Sequence, residues 1–394
     1  MNSQLICITA LTLLAIVPTA MASNTWYVDG VKGRNRNDCR SPQTACKTIS
    51  HAVVLTSPRD SVIIAPAIYR ESLFITYDLK FVGSGAATTI IDGGGVNNQV
   101  FVVGSNDPAT RVALSGVTIR NGAGQEDGGG IYNCSGTLTV TDSVIAQNRI
   151  RNGNGAFGYG AGIYNCPFST LTIINSTIIH NSALIGGAIC NGGALTIRNS
   201  TIMLNVARQR FGGAIANYGT LEITNSTFSG NSSGASGLGG AILNGGVFQL
   251  AGALSINNST FAGNTAGFGG GGIFNVTGSA VLLQNSIVAK NQGGSCLGTM
   301  ISTGYNLSSD DSCSFEGPGD LNNTDPQLGP LELYGGPTKT MALLPGSPAI
   351  DAGNPNGCMD GQGRLLKTDQ RGMPRPDRED SGGCDIGAYE RQKD

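Results

Sequence analysis

The chain has 394 residues, 60 of them glycine, with 13% charged residues and a net charge of −2. An apolar share of 40% excludes a disordered chain, which needs high net charge and few apolar residues. The near-neutral balance excludes long-range attraction to nucleic acid or to an anionic membrane.

Residues 1–22 read as an export signal. Residues 5–17 are almost continuously apolar, Pro18 interrupts the run, and Ala20-Met21-Ala22 fits the small-x-small cleavage rule. Asn2-Ser3-Gln4 adds no basic side chain, so the amino terminus is the positive group. No later segment is apolar enough to span a bilayer, so the mature chain is expected to lack a transmembrane segment. Ten cysteines less Cys7 leave nine in an exported chain, where disulfides persist. Cys39 with Cys46, Cys296 with Cys313, and Cys358 with Cys384 are the local pairs. Cys134 and Cys166 occupy equivalent places on neighbouring repeats, within disulfide reach if they stack, though parallel register disfavours the torsion. Cys190 has no evident partner and reads as a buried apolar filler.

The mature chain divides into an N-terminal cap with the first coils (23–95), repeat coils (96–292) and a closing segment (293–394). In the first, Trp26-Tyr27-Val28 begins a strand. Residues 48–56 then place Ile49, Ala52, Val53 and Val54 on one side, as a short helix covering the open end of the first coil would. In the second, Gly-Gly-(Ala/Gly)-Ile-x-Asn recurs with isoleucines at Ile131, Ile163, Ile189, Ile215, Ile242 and Ile273, at steps of 32, 26, 26, 27 and 31 residues. Such units are too short to pack alone and bury their apolar faces against one another. A second phrase follows about eight residues on, as in Leu195-Thr196-Ile197-Arg198-Asn199-Ser200, with the two-residue strand period. A third strand, as in Thr201-Ile202-Met203, closes each unit at Asn205 or its equivalent. Three short strands per coil define an all-β fold, a right-handed single-stranded parallel β-helix with an N-terminal cap and a loop-rich C-terminal cap.

Each part of the first phrase has a folding task. Glycine permits positive φ and close approach, isoleucine fills the core, and Asn133, Asn165, Asn191, Asn217, Asn244 and Asn275 are expected to form a hydrogen-bonded ladder. The Asn-Ser-Thr triplets at Asn175, Asn199, Asn225 and Asn258 match a glycosylation acceptor, but arise from the repeat and are read as structural. Only position x and the variable loop before the glycines stay free to carry function. Tyr132, Tyr164 and Phe274 occupy x, an aromatic stripe suited either to packing or to stacking on a sugar ring.

Residues able to carry chemistry are sparse. Between 128 and 291 the only acids are Asp142 and Glu222, several coils apart, so the paired carboxylates of a glycoside hydrolase are not in evidence. Asp92, Glu126, Asp127 and Arg120 are the best residual cluster. His51 and His180 lack an acid or nucleophile at useful spacing. Asp310, Asp311, Asp320 and Asp325 match no defined calcium loop. No metal, cofactor or catalytic residue is assigned.

The closing segment resembles the choice-of-anchor Q domain of exported bacterial β-helix proteins. The resemblance rests on 328–331 (Leu-Gly-Pro-Leu), 335–338 (Gly-Gly-Pro-Thr), 344–353, 369–372 (Asp-Gln-Arg-Gly) and 384–390. The repeats resemble those of polymorphic outer-membrane proteins and related adhesins, on a pectin-lyase-like β-helix. The resemblance implies an exported, non-catalytic, adhesin-like interaction protein. Its partner would be an extracellular glycan or cell-surface protein, and the absent hydrophobic tail after Arg391 implies release rather than anchoring. The alternative is a polysaccharide lyase or glycoside hydrolase of the same fold.

Overall fold

The computed structural model describes residues 23–95, 99–104, 110–124, 127–150, 158–246, 251–377 and 383–393. The expected export signal and Glu126 lie outside the described residues. Each full coil adds one strand to each of three parallel sheets running along a common axis, and extra N-terminal strands in the second and third bring the counts to nine, eleven and ten. The recurring phrases are those strands. Ile189–Asn191 lies in the first sheet, Ala194–Arg198 in the second and Thr201–Met203 in the third. Register is identical from coil to coil: Ile189 pairs with Ile163 and Ile215, and Leu195 with Leu171 and Leu221. The inward residues therefore stack into continuous files, and Ile131, Ile163, Ile189, Ile215, Ile242 and Ile273 are all fully buried. The chain is a right-handed parallel β-helix.

Three corners join the sheets, each solved by a different polar file. Between the first and second sheets, Asn133 Nδ2 donates to Asn165 Oδ1 at 2.7 Å. The same bond runs Asn165 to Asn191, Asn191 to Asn217, Asn217 to Asn244 and Asn244 to Asn275 at 2.7–3.0 Å. Between the second and third, Asp142, Asn175, Asn199, Asn225, Asn258 and Asn285 sit at φ of 47–51°, the left-handed region that Asn and Asp tolerate. The serines that follow them form a second file, as when Ser176 N donates to Ser200 Oγ at 3.1 Å. Between the third and first, Asn148, Asn181, Asn205, Asn231, Asn264 and Asn291 make another asparagine ladder at 2.9–3.0 Å. The two glycines of the first phrase differ in task. Gly186 has φ of +62°, whereas a Cβ on Gly213 would lie 2.1 Å from the Gly240 carbonyl oxygen of the next coil.

The N-terminal end is closed by a helix, Ile49–Leu55, which buries Ile49 and Ala52 in the core. Glu71 holds it from the first coil, accepting from Ile49 N at 2.8 Å and Ser50 N at 2.7 Å. Cys39–Cys46, Cys296–Cys313 and Cys358–Cys384 are bridged. Cys134 and Cys166, with Cα atoms 4.9 Å apart on adjacent coils, are bridged as well, and Cys190 is free and buried.

Most of the closing segment does not sit over the last coil. Residues 328–377 and 383–393 run back along the flank, over the corner between the second and third sheets. The left-handed asparagines dock it: Asn225 Nδ2 donates to Thr368 O at 2.8 Å, Asn258 to Met359 O at 2.7 Å and Asn285 to Asp385 O at 2.8 Å. A solenoid flank exposes a regular file of side-chain amides, and an irregular chain can satisfy them with its carbonyls. Inside this strap Arg375 is fully buried, its Nε 2.7 Å from Glu390 and its Nη1 donating to Asn225 at 3.0 Å.

Candidate functional site

The corner between the third and first sheets alternates direction residue by residue. Asn121, Gln147, His180 and Leu204 take φ of 55–56°. The next residues, Asn148, Asn181 and Asn205, turn inward to the ladder and are fully buried. What this geometry puts outside is a groove of about 1280 Å³ lined by Arg70, Asp92, Arg120, Arg149, His180 and Arg208, among others. Asp92 and Arg120 end the strands 89–92 and 118–120 of the third sheet, and Arg70, Arg149, His180 and Arg208 follow the ends of its strands 67–69, 144–146, 177–179 and 201–203. The basic groups are thus spread over five strand spacings of about 4.8 Å, roughly 24 Å along the axis.

The one carboxylate among the described lining residues is Asp92, and it is engaged. Arg120 Nε lies 2.7 Å away, Asn121 Nδ2 donates to both oxygens, and Gly94 N donates at 2.9 Å. Burial would raise the carboxyl's pKa, but the bonds from Gly94, Arg120 and Asn121 outweigh it and hold Asp92 below the usual carboxylate range. Arg208 is stationed by Val206–Phe211, a strand paired with Ser182–Ile185 outside the main coil, and its Nη2 donates to Ile150 O. Partial burial, then the like charge of Arg149, lower the Arg208 pKa. Neither Arg70 nor Arg149 makes an ion pair among the described residues. The groove therefore offers mutually repelling guanidinium groups, the donor type best matched to carboxylate, sulfate or phosphate oxygens.

The aromatic stripe is placed differently. Tyr132 and Tyr164 stack on each other, with ring centroids 5.6 Å apart and an interplanar angle of 17°. At the same position on the next coils Cys190, Ala216 and Leu243 are buried, and Phe274 packs into one apolar cluster with Leu184, Ile185, Ala216 and Leu243. Burial pushes the Tyr164 phenol well above its usual pKa. All three aromatics are half-buried.

The acids noted in the sequence are dispersed. Asp142 stands at a corner three strands of the second sheet from Glu222, about 14 Å at 4.8 Å per strand, beyond the carboxyl separations of glycosidases. Glu222 pairs with Arg198 at 3.1 Å. Asp127 accepts from Tyr159 N at 3.2 Å. In the closing region Asp310 accepts from Ser295 and Ser312, Asp320 from Asn306 N, and Asp325 meets Lys290 at 3.1 Å. His51 lies in the cap helix. His180, which sequence spacing leaves without a partner, joins the groove. The groove itself escapes sequence reading because its arginines fall at unequal intervals. The available signal is that Arg120, Arg149 and His180 all lie within two residues of the corner closing the third strand.

No family model matches the chain, and no curated protein does. Among solved structures it is similar to pectate lyase Pel9A, with a TM-score of 0.57 at 14% identity over 94% of this chain and 98% of that one. A pectin methylesterase mutant in complex with a hexasaccharide also matches, with a TM-score of 0.36 at 11% identity, over 75% of this chain and 81% of that one. The likeness to Pel9A is one of fold, the pectin-lyase-like parallel β-helix. Among the described residues no helix is long and apolar enough to cross a membrane.

Proposed function

We propose that this chain is an exported β-helix protein that binds an acidic extracellular glycan in the arginine groove without turning it over. The carrying observation is the file of Arg70, Arg120, Arg149 and Arg208 with His180, whose only described carboxylate is already held by Arg120. Four disulfides suit an oxidising compartment. Glycosidic hydrolysis needs two carboxyl groups at one bond, and the described lining supplies one, committed to a salt bridge.

The test is binding of polygalacturonate and alginate, with a neutral glucan as control. Arg149→Ala/Arg208→Ala should weaken acidic-glycan binding at least tenfold, and added salt should weaken it in the parent protein. Equal affinity for the neutral glucan overturns the charge-based reading. Accumulation of shortened or unsaturated chains overturns the non-catalytic one and favours a polysaccharide-active enzyme.

A further inference from the structure

Arg70 follows Ala67–Tyr69, the first strand of the third sheet, and the 30–36 loop of the N-terminal cap lies directly against that strand. Gly30 N donates to Tyr69 Oη at 3.1 Å, and a Cβ on Gly30 would sit 2.9 Å from Ala67 Cβ. The loop carries Lys32, Arg34 and Arg36, with Lys47 beside them, all exposed and lining one concavity of about 780 Å³.

The loop is rigidly built. Asp29 Oδ1 accepts from Val31 N at 2.8 Å and Lys32 N at 2.9 Å, while Asn35 Oδ1 accepts from Lys47 N at 3.0 Å and Thr48 N at 3.1 Å. The Cys39–Cys46 bridge closes its base. The neighbouring acids accept from backbone amides: Asp29 from those two, Glu71 from the start of the cap helix, Asp38 from Arg40 N. None of Lys32, Arg34, Arg36 or Lys47 makes an ion pair among the described residues.

We infer that the cap loop and the arginine groove form one cationic track, and that its ligand is a polyanionic polysaccharide lying parallel to the solenoid axis. This rests on the reading of the groove given above. The track spans one strand spacing more than the groove alone, roughly 29 Å. One or two sugar rings cannot bridge it, but a polymer carrying a charge on each ring can. A rigid scaffold that holds two charged segments makes the second contact intramolecular, so affinity rises with chain length beyond what the groove alone supplies. The described groove lining contains no Phe, Tyr or Trp on which bases could stack, which favours a glycan over single-stranded nucleic acid.

The experiment measures affinity for an oligogalacturonate length series, for long polygalacturonate and for single-stranded DNA. The proteins are the parent, Lys32→Ala/Arg34→Ala/Arg36→Ala and Arg149→Ala/Arg208→Ala, each checked for parental circular dichroism. The cap variant should lose about tenfold on long chains, keep its affinity for the shortest binding oligomer, and show a shallower salt dependence. The groove variant should lose affinity at every length. An unchanged cap variant on long polymer overturns the track while leaving the groove reading intact. An unchanged groove variant overturns both. DNA bound as tightly as polygalacturonate, with the same losses, overturns the assignment to a glycan.

Discussion

Asn191 shows what a single residue does in this architecture. Its Nδ2 donates to Asn217 Oδ1 at 2.7 Å, its Oδ1 accepts from Asn165, and it is fully buried. Asn191→Ala takes the ladder bond from Asn165 Nδ2, which keeps the Ala194 carbonyl, and leaves the buried Asn217 Oδ1 without its ladder donor, so a loss of about 2 kcal/mol is expected, read as a shift in the chemical denaturation midpoint. Replacement of half-exposed Tyr132 by Phe keeps the ring stack and should cost far less. Glu390 is the residue with a pH signature. Burial raises its carboxyl to about 7, with Arg375 opposing and Asp385 assisting, and its Oε1 has no hydrogen-bond partner among the described residues. A carboxyl whose folded pKa is raised binds its proton more tightly when folded. Its contribution is therefore present below the unfolded value near 4.5 and is lost as pH rises towards 7. Glu390→Gln should flatten that part of the pH–stability profile relative to the parent; an unchanged difference between pH 5 and 7 would contradict this.

At the scale of elements, the strap is where sequence and structure diverge most instructively. Its prolines, glycines and cysteines are legible as a stapled closing piece, but not where it lies. That location depends on Asn199, Asn225, Asn258 and Asn285 presenting polar groups along one corner, and on Thr338, Thr368, Met359 and Asp385 meeting them across 100 to 143 residues of chain. Arg375 is the keystone, and Arg375→Ala would leave Glu390 buried without its cation. A loss of about 3–5 kcal/mol is expected. It should appear as faster amide exchange and protease cleavage confined to 328–393, with the coils still protected, because each coil is held mainly by its neighbours. Loss of protection throughout the coils would show instead that the strap holds the solenoid closed.

Across the whole molecule, a net charge of −2 hides a strongly uneven distribution. Basic side chains gather along one corner and the N-terminal cap, while the acids nearest them are consumed by backbone amides and Arg120. Composition speaks to long-range steering and says nothing of a local track, because a sum over the chain erases position. A solenoid makes such a track easily: any side chain beside one corner repeats at a fixed step along the axis, whatever its sequence interval.

The sequence by itself determined the fold, since period, register and buried files follow from a repeated Gly-Gly-(Ala/Gly)-Ile-x-Asn and its companion strands. It determined that glycine, isoleucine and asparagine in that phrase are structural, and three of the four disulfides were legible from local spacing. Only the tertiary structure decided that Cys134 meets Cys166, that Tyr132 stacks on Tyr164, and that Arg70, Arg120, Arg149 and Arg208 share one groove. The physical reason is loop length. Coils of 26 and 32 residues bring equivalent corners into register while their sequence numbers drift, so contacts between coils are fixed by stacking of the backbone rather than by spacing along the chain.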